Sequence, residues 1–317
     1  MLALAGAPLG IRMRFLDPSP DACAGEVGEL VVGGYDDPDA LDRLAEGTDA
    51  ITFEFENVPV GAATRVGALP GPRSLAGGQD RLVEKQLFRR LGIPTARFGS
   101  LKETGLPALV KTRRLGYDGK GQRRLDAAEP LGADELAEEI VPFERELSIV
   151  AVRSSTGETR FWPLAENVHR DGILRVSRAP AAAAPQAEAE AIAAVLLDDL
   201  DHVGVLAVEL FEVGGRLLAN EFAPRVHNTG HWTIDGAETS QFENHLRAVL
   251  GLELGPTGAR GASVMVNLIG TVPSLKALPG AYVHVYGKEL RPGRKVGHVT
   301  FVDAPGAVVA EAIRLAG

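Results

Sequence analysis

The chain of 317 residues has one cysteine, no surplus of basic residues and no long hydrophobic run. The single cysteine, Cys23, excludes an internal disulfide framework and fits a reducing compartment. Because no run of eighteen apolar residues occurs, we expect no segment to cross a membrane. Residues 1–6 contain no basic leader and do not resemble a signal peptide, so we expect a cytoplasmic protein.

Acidic residues outnumber basic ones by 42 to 33, which gives a formal net charge of −9. This balance argues against nucleic-acid binding, because phosphate backbones are bound by basic stripes. It allows small phosphorylated ligands, since a few placed cations and Mg²⁺ suffice for those. With 45% hydrophobic residues the chain can bury a large core, and its length predicts two or three domains.

The first 75 residues have the pattern of short α/β units. A strand is predicted over residues 11–16, a helix over about residues 38–46 with Asp37 as its N-cap, and a second strand over residues 50–55. Alternating strands and helices predict a parallel sheet, whose ligands lie at the carboxyl ends of its strands.

The remainder of the chain mixes helices with many strands. Apolar periodicity predicts helices over residues 78–93, near residues 133–139 and over residues 186–200, and a capping box from Ser240 to Glu243 begins another. The segment between residues 109 and 152 is otherwise rich in strands, and strands dominate from about residue 156 onward.

The most informative segment is residues 220–231, which follow a hydrophobic strand. They contain one carboxylate, one guanidinium, two imidazoles and two carboxamides. Strands that serve only stability rarely end in so many titratable and hydrogen-bonding groups. Such a set fits the binding of a metal-bound polyphosphate together with an oxyanion, and a polar surface loop is the alternative.

Two apolar strands flank Gly214 and Gly215 and are expected to form a hairpin. A three-residue loop would place Glu209 opposite Glu221, whereas a strict two-residue turn would place it opposite Asn220. Facing carboxylates are unfavourable unless a cation lies between them. Their oxygens, with a carboxamide, suit Mg²⁺. Two solvent-facing glutamates on a plain hairpin are the alternative.

Residues 116–122 contain three glycines and form a second candidate element, the glycine loop. Glycines let a backbone approach a ligand closely, and their N–H groups can bind phosphate oxygens. Lys120 is followed by Gly121 rather than by Ser or Thr, so this is not a Walker motif. Lys111 ends the preceding apolar strand and either extends to water or points at an anion. A plain turn remains the alternative for the loop.

Residues 286–298, the basic loop, hold four lysines or arginines in an otherwise acidic chain. Pro292 and Gly293 break any helix there, so the segment is a candidate clamp for a terminal phosphate. A solvated run of charge is the alternative.

These motifs together resemble the N5-carboxyaminoimidazole ribonucleotide synthetase family, the ATP-grasp carboxylating enzymes of microbial purine biosynthesis. The resemblance rests on residues 220–234, 239–245, 116–122 and 291–298, and also on Asp80-Arg81, Lys85 and residues 92–95. The matches run in the family's order from about residue 8 to residue 302.

The resemblance implies an α/β (α+β) ATP-grasp fold of three domains. Residues 1–77 would form a doubly wound parallel sheet, residues 78–155 a central lid, and residues 156–317 the C-terminal domain with a small terminal β subdomain. Family members open with a strand and a Gly-Gly-Gly-Gln-Leu-Gly loop, whereas this chain begins with residues that resemble the helix after that loop. We therefore expect a truncated N-terminal sheet.

The implied reaction converts ATP, bicarbonate and 5-aminoimidazole ribonucleotide to ADP, phosphate and the N5-carboxylated ribonucleotide through carboxyphosphate. Family members are commonly homodimers, and we expect one here. Another ATP-grasp ligase, or a nucleotide-binding protein without turnover, are the competing interpretations.

The resemblance also implies a strand that contains Glu138, whose backbone groups would contact the adenine edge, and roles for individual residues. Glu209 and Glu221 would bind Mg²⁺, and the candidate catalytic residues are Arg225, His227 and Asn228. ATP would be bound by Arg81, Lys111, Gly116, Tyr117, Asp118, Gly119, Lys120, Gly121, Gln122, Glu138, Glu139, Ile140, Val141, Glu146, His169, Asn220 and Glu221. The ribonucleotide would be bound by Tyr117, Asp118, Lys120, Lys288, Arg294 and Lys295. Many family members have Arg in place of Lys120, which loses the guanidinium fork but keeps the charge.

Overall fold

The N-terminal part of the chain carries a two-stranded parallel sheet with short helices. The computed structural model describes residues 1–116 and 119–316, and no helix in these two ranges is long and apolar enough to cross a membrane. The elements are α1 (Leu2–Gly6), β1 (Arg14–Asp17), β2 (Glu29–Val32), α2 (Pro38–Ala45) and α3 (Val60–Arg65). Strands β1 and β2 pair in parallel, which confirms the predicted direction of the sheet.

Two predictions for this part have different outcomes. Helix α2 is confirmed with its cap, since the Asp37 carboxylate accepts hydrogen bonds from the N–H groups of Asp39 and Ala40. The strand predicted over residues 50–55 is wrong, because those residues form no ladder with any described strand. A strand exists only where a neighbour pairs with its backbone, and here the Leu69 N–H bonds to Ile51 O without extending into a ladder.

The helix predicted over residues 78–93 is divided in two, α4 (Pro72–Gln79) and α5 (Arg81–Arg90). Asp80 between them has an extended backbone, with φ −132° and ψ 113°, and its carboxylate accepts from the Leu82 N–H at 3.0 Å. An N-cap of this kind begins a new helix, so α5 presents Arg81 from its first turn.

A four-stranded antiparallel sheet forms the central unit. Its elements are β3 (Phe98–Gly99), α6 (Leu101–Thr104), β4 (Ala108–Thr112), β5 (Gln122–Leu125) and β6 (Glu135–Glu139), in strand order β3-β6-β4-β5. The helix predicted near residues 133–139 is therefore wrong, although the family resemblance implied a strand at Glu138. Pairing with β4 and burial of Leu136 and Ala137 override the local helical preference.

A nine-stranded sheet organises the rest of the molecule. Its strands are β7 (Arg145–Arg153), β8 (Thr159–Phe161), β9 (Ala165–Arg170), β10 (Ile173–Ala179), β11 (Gly204–Val213), β12 (Arg216–Ala223), β13 (Ser263–Ile269), β14 (Tyr282–Val285) and β15 (Lys295–Val302). The strand order is β12-β11-β7-β9-β10-β13-β15-β14, with β8 beside β7. The predicted division places residues 145–153 in the central unit, but their strand pairs with β9 and β11, so the central sheet ends at Glu139.

Helices cover both faces of this sheet, namely α7 (Gln186–Asp199), α8 (Thr233–Gly236), α9 (Gln241–Val249) and α10 (Gly306–Leu315). The predicted helix over residues 186–200 is confirmed. Of the capping box predicted for α9, the Ser240 half is confirmed, because Ser240 Oγ accepts from the Glu243 N–H at 3.1 Å. The Glu243 carboxylate does not complete the box and instead accepts from Arg247 Nε at 2.8 Å.

Strand β11 is buried on both faces, and the alternation of its side chains determines the face of the sheet on which Glu209 lies. Leu206, Val208 and Leu210 pack into the core cluster under α7, whereas Val205 and Ala207 pack into the cluster that contains α9. Side chains alternate along a strand, so Glu209 emerges on the α9 side, beyond the edge of that second cluster.

Candidate functional site

The β11–β12 hairpin brings Glu209 and Glu221, the carboxylate pair, to directly opposite positions. Val213 pairs with Arg216, so the turn is the two-residue Gly214-Gly215 turn. That turn alone would place Glu209 opposite Asn220, but the register shifts between Glu209 and Leu210. Asn220 is the extra residue of a β-bulge, which redirects side chains locally. Both sequence alternatives were therefore half right: the turn is short, and the carboxylates still face each other.

The carboxylate pair is electrostatically asymmetric. Arg81 Nη1 donates to Glu221 Oε2 at 2.5 Å. Burial alone would raise the pKa of Glu221, but the charges of Arg81 and Lys111 lower it to about 2. Burial and the charge of Glu221 raise the pKa of Glu209 to about 7. Their side chains keep 18% (Glu209) and 35% (Glu221) exposure, so a cation can reach both from solvent.

The donor set of the carboxylate pair fits a divalent cation. Two opposed carboxylates repel each other, and this repulsion contributes to the raised pKa of Glu209. A cation between them would relieve it, and hard oxygen donors suit Mg²⁺. No group of three or more His, Cys, Asp or Glu side chains suited to a metal occurs in the described ranges, so two protein carboxylates would share the ion with other ligands.

An ionic network lies beneath the carboxylate pair. Lys111 Nζ lies 3.0 Å from Glu138 Oε2 and 3.3 Å from Asn220 Oδ1. Lys85 is fully buried, and its Nζ lies 3.4 Å from the same Glu138 oxygen and 3.0 Å from Thr95 Oγ1. Lys111 therefore does not extend to water; it is a fixed buried cation that faces the bulge.

Helix α5 supports strand β12, which carries Glu221, from behind. Glu84 Oε1 accepts from the Phe222 N–H at 2.6 Å, and burial together with the charge of Glu221 raises the pKa of Glu84 to about 8. Sequence reasoning assigned no role to Glu84. The sequence feature that could have revealed it is the spacing of Arg81, Glu84, Lys85 and Phe88. These positions are i, i+3, i+4 and i+7 and therefore lie on one helix face. Charged residues on a buried face indicate a functional network.

The three candidate catalytic residues follow β12, and His227 among them lies beside Glu209. His227 Nε2 lies 3.5 Å from Glu209 Oε1, and Arg225 Nη2 lies 2.8 Å from Glu56 Oε2. Burial and the charge of Arg225 lower the pKa of His227 to about 3, so this imidazole is neutral. Both polar atoms of the Asn228 side chain are buried without a hydrogen-bond partner. Groups buried in that way are costly unless a ligand satisfies them.

Gln241 fixes the backbone of this segment. Its carboxamide accepts from the His227 N–H at 2.9 Å and donates to His227 O at 2.6 Å. A Cβ on Gly230 would lie 2.7 Å from the Gln241 side chain, so only glycine fits there. Helix α9, which begins at Gln241, thus holds the catalytic candidates in place.

The glycine loop borders the same region. Gly116 O accepts from Arg81 Nη2 at 3.4 Å, and the Thr112 N–H donates to Gly121 O at 2.7 Å. Gly121 has φ +74°, and a Cβ there would lie 2.4 Å from Thr112 Oγ1, so a side chain is excluded by both strain and space. The candidates Tyr117 and Asp118 lie outside the described residues, between Gly116 and the loop's second half, which holds Gly119, Lys120 and Gln122.

A cleft of about 230 Å³ opens beside Lys111 at the edge of β6. It is lined by Leu109, Lys111, Arg124, Glu138, Glu139, Ile140, Val141, Phe143 and Phe211. Phe143 and Phe211 stack with centroids 4.6 Å apart and 10° between their planes. Flat apolar walls next to strand backbone fit a planar heteroaromatic ring. Sequence reasoning missed both phenylalanines, because they come from separate parts of the chain.

Glu146 and His169 meet on neighbouring strands near Glu209 and form an ion pair. Burial alone would lower the pKa of His169, but its bond to Glu146 and the charge of Glu209 raise it. These two nucleotide-binding candidates therefore lie on the carboxylate side of the cleft.

The basic loop approaches the site from β14 and β15. Lys288 Nζ lies 5.3 Å from the ring centroid of Tyr286, and Arg294 Nη1 lies 3.9 Å from Glu289 Oε2. The charge of Lys295 contributes to lowering the pKa of His227 and also acts on Glu209. Lys295 thus lies on the side of the basic loop that faces the carboxylate pair.

A second cavity of about 390 Å³ lies away from these residues, beside α4 and α5. Its charged groups are satisfied by one another, since Asp199 accepts from Arg90 and lies 3.6 Å from Arg73. None of the candidate site residues lines it, whereas the smaller cleft is lined by the ATP-binding candidates Lys111, Glu138, Glu139, Ile140 and Val141, so the chemistry belongs to the smaller cleft.

Three family profiles match the sequence in order along the chain. Residues 1–78 match the ribonucleotide synthetase preATP-grasp domain, residues 86–242 the ATP-grasp domain, and residues 263–312 the phosphoribosylaminoimidazole carboxylase C-terminal domain.

Individual proteins match over nearly their whole length. The N5-carboxyaminoimidazole ribonucleotide synthase of Pseudomonas aeruginosa is 50% identical, over 95% of this chain and 90% of that protein. The crystal structure of N5-carboxyaminoimidazole ribonucleotide synthetase from Thermus thermophilus is 52% identical with a TM-score of 0.94, over 100% of this chain and 95% of that one. N5-carboxyaminoimidazole synthase from Aspergillus clavatus, in complex with ADP and 5-aminoimidazole ribonucleotide, is 28% identical with a TM-score of 0.86, over 98% and 92%. The chain belongs to the N5-carboxyaminoimidazole ribonucleotide synthetase family.

Proposed function

We propose that this chain is an ATP-grasp ligase that uses ATP and bicarbonate to carboxylate 5-aminoimidazole ribonucleotide. The products are ADP, phosphate and N5-carboxyaminoimidazole ribonucleotide, in purine biosynthesis. Family membership supports the reaction, and one observation carries it at the residue level. The carboxylate pair lies beside a neutral His227, and the next residue in the chain is the unpartnered Asn228, which combines a cation site with an oxyanion site.

ATP occupies the cleft beside β6 in this proposal. The stacked Phe143 and Phe211 form the wall for the adenine ring, and backbone groups of residues 138–141 bind its edge. Lys111 neutralises phosphate charge, and the glycine loop closes over the phosphates. The ADP held by the Aspergillus clavatus relative supports a nucleotide site.

Glu209 and Glu221 hold Mg²⁺ in this proposal, with the bulge residue Asn220 beside them. A Mg²⁺ ion held there would supply positive charge that offsets the negative charge of the phosphates. Arg81 keeps Glu221 ionised and in position through their 2.5 Å contact. Asn220 is less suited to direct ligation, because its Oδ1 already accepts from Lys111.

Arg225, His227 and Asn228 bind bicarbonate and stabilise carboxyphosphate. The Glu56 carboxylate orients the Arg225 guanidinium, and the neutral imidazole and carboxamide can donate to oxygens that gain charge. Preorganised donors of this kind act before reaction and need no rearrangement. Closure of the central sheet over the site would exclude water, which would otherwise hydrolyse carboxyphosphate.

The ribonucleotide lies on the side of the basic loop. Lys288, Arg294 and Lys295 bind its 5′-phosphate in this proposal. Tyr117, Asp118 and Lys120 of the glycine loop approach its base. The ribonucleotide held by the Aspergillus clavatus relative supports this second substrate.

We also propose a division into three functional units and a cytoplasmic homodimer. The sequence division at residues 77/78 agrees with the family profiles, and sheet membership favours moving the second boundary from 155 to about residue 144. The single free cysteine suits a reducing compartment. Sedimentation analysis would test the dimer, and a mass of one chain at working concentration would reject it.

Phosphate release from MgATP and bicarbonate, with and without 5-aminoimidazole ribonucleotide, tests the function. Release that the ribonucleotide stimulates, with formation of the carboxylated product, is expected. Phosphate release that is stimulated by a different acceptor of the activated carboxyl group would indicate a different ATP-grasp ligase. Measurable ATP affinity with no release under any condition would indicate a nucleotide-binding protein without turnover.

A further inference from the structure

A group of imidazoles surrounds Tyr286 next to the proposed ribonucleotide site. Tyr286 Oη lies 3.1 Å from His231 Nδ1 and 2.7 Å from His298 Nδ1. His298 is fully buried, and the ring of His284 stacks on it with centroids 4.6 Å apart. His284 Nε2 in turn lies 2.9 Å from Asp235 Oδ2 on α8. We refer to His231, His284, Tyr286 and His298 as the imidazole–tyrosine cluster.

The hydrogen bonds of Tyr286 to His231 and to His298 both depend on the phenolic hydroxyl. Burial lowers the pKa values of His231 and His298 well below their ordinary value, so both rings are neutral. The hydroxyl of Tyr286 has one proton and can donate it to only one Nδ1 atom. The other Nδ1 must carry a proton and donate it to the phenolic oxygen. Removal of the hydroxyl therefore breaks both bonds together.

The two ends of this bridge belong to the two loops that serve the substrates. The His231 N–H donates to Asn228 O at 3.1 Å, at the end of the 3₁₀ turn that holds the carboxyphosphate-binding candidates. The Tyr286 N–H donates to Val296 O at 3.0 Å and closes the base of the basic loop. Lys288 Nζ lies 5.3 Å from the Tyr286 ring, in range of a cation–π contact.

We propose that Tyr286 is a positioning residue for the ribonucleotide, whose hydroxyl locks the ring that supports Lys288 to the segment that carries Asn228. In this role Tyr286 acts through Lys288 and through the segment of Asn228 rather than on the reacting atoms. The inference rests on the proposed role of the basic loop in binding the 5′-phosphate. Neutral hydrogen bonds join the basic loop to the segment that carries Asn228, so the same contacts position the groups that bind both substrates.

Steady-state kinetics of Tyr286→Phe tests the proposal, with Tyr282→Phe as the matched control. Tyr282 lies on the adjoining strand β14 and is 52% exposed, so its hydroxyl has no comparable duty. Tyr286→Phe keeps the ring under Lys288 and should raise the ribonucleotide KM roughly three- to tenfold, the range of one or two lost hydrogen bonds. Its ATP KM, and both constants of Tyr282→Phe, should stay within about twofold.

Variants at His231 separate positioning from general structural damage. His231→Asn keeps a polar group near the Nδ1 position and should retain most of the ribonucleotide affinity of the unsubstituted chain. His231→Leu lacks such a group and should raise the ribonucleotide KM as Tyr286→Phe does. Equal increases in both KM values, or a ribonucleotide KM unchanged in Tyr286→Phe, would overturn the proposal.

Lys288→Ala, measured in parallel, tests the foundation separately. If Lys288→Ala raises the ribonucleotide KM and Tyr286→Phe does not, only the positioning role fails. If Lys288→Ala itself leaves that KM unchanged, the proposed function of the basic loop fails and the positioning role fails with it.

Discussion

Two polar regions support the site from opposite sides, and they are built from different chemistry. The floor beneath the nucleotide cleft is ionic, with Arg81, Lys85 and Lys111 set against Glu138 and Glu221 at 2.5 to 3.4 Å. In the imidazole–tyrosine cluster on the ribonucleotide side, burial lowers the pKa values of His231 and His298 and keeps both unprotonated, so the hydrogen bonds that hold Tyr286 are neutral.

The difference follows from what each region has to do. In the proposed function, phosphates and a divalent cation bring charge to the first region, and fixed charges of both signs prepare the site for them. The second region has to hold a loop in place near a phosphate without adding charge that would compete with Lys288 and Arg294. Neutral hydrogen bonds achieve that, and they avoid the desolvation cost of buried ions.

The largest expected effect comes from removal of one member of the carboxylate pair. Glu221→Ala should lower ATP hydrolysis by at least a factor of about 10³, because the cation and Arg81 both lose their partner. Phosphate release assays would measure this, with Glu253→Ala at an exposed position as the control. Near-normal turnover in Glu221→Ala would reject the metal assignment.

The ionic floor should respond strongly to loss of one buried charge. Lys85→Met leaves the carboxylate of Glu138 with one fewer partner, and we expect a loss of about 3 kcal/mol in the free energy of unfolding. Urea unfolding would measure it. A loss below about 1 kcal/mol would mean that Lys111 alone satisfies Glu138 and that the floor is less cooperative than its geometry indicates.

Acid should weaken the neutral region before the ionic one. Unfolded imidazoles bind a proton below about pH 6.5 whereas His231 and His298 stay neutral when folded, so stability falls as the pH drops through that value. Each should contribute a loss of about 2 kcal/mol at pH 5. Glu138 and Glu221 have lowered pKa values, and their contributions are lost only below about pH 4.5.

His231→Asn provides the check on that order. Its free energy of unfolding should fall by about 2 kcal/mol less than that of the unsubstituted chain between pH 7 and pH 5. Identical losses in the two proteins would mean that His231 is protonated in the folded chain, which would make the region ionic like its counterpart.

The smallest expected effect is on the basic loop itself. Arg294→Ala should raise the ribonucleotide KM roughly tenfold, the value of one charge-assisted hydrogen bond, and leave the ATP KM unchanged. Arg291→Ala, at an exposed position of the same loop, is the matched control. An effect confined to ATP would reassign the loop to the other substrate.

The chemistry of the site was more predictable from sequence than its frame. The polar density of residues 220–231 and the two glutamates pointed to side chains that the structure brings together, because ligand chemistry restricts residue type. The strand β6 was mistaken for a helix and the extended segment 50–55 for a strand, because pairing partners decide those cases and local pattern does not contain them. The resemblance corrected the first error, not the second.

The supporting residues were missed for a related reason. Phe143 and Phe211 come from distant parts of the chain and acquire meaning only when stacked. In the sequence Tyr286 is one more residue of a basic run, and its role emerges only from His231 and His298 on either side of its hydroxyl.

The bulge at Asn220 divides the hairpin into two parts with different pairing registers. Between the Gly214-Gly215 turn and Leu210 the turn sets the register, whereas from Glu209 onward the register is shifted by one residue and places the two carboxylates opposite each other. Lengthening the turn by one residue could therefore be absorbed by losing the bulge, which keeps the carboxylates opposed but withdraws Asn220 from Lys111. The tip of this hairpin can thus vary in length over evolution at the expense of a lysine contact, while the two acids stay face to face.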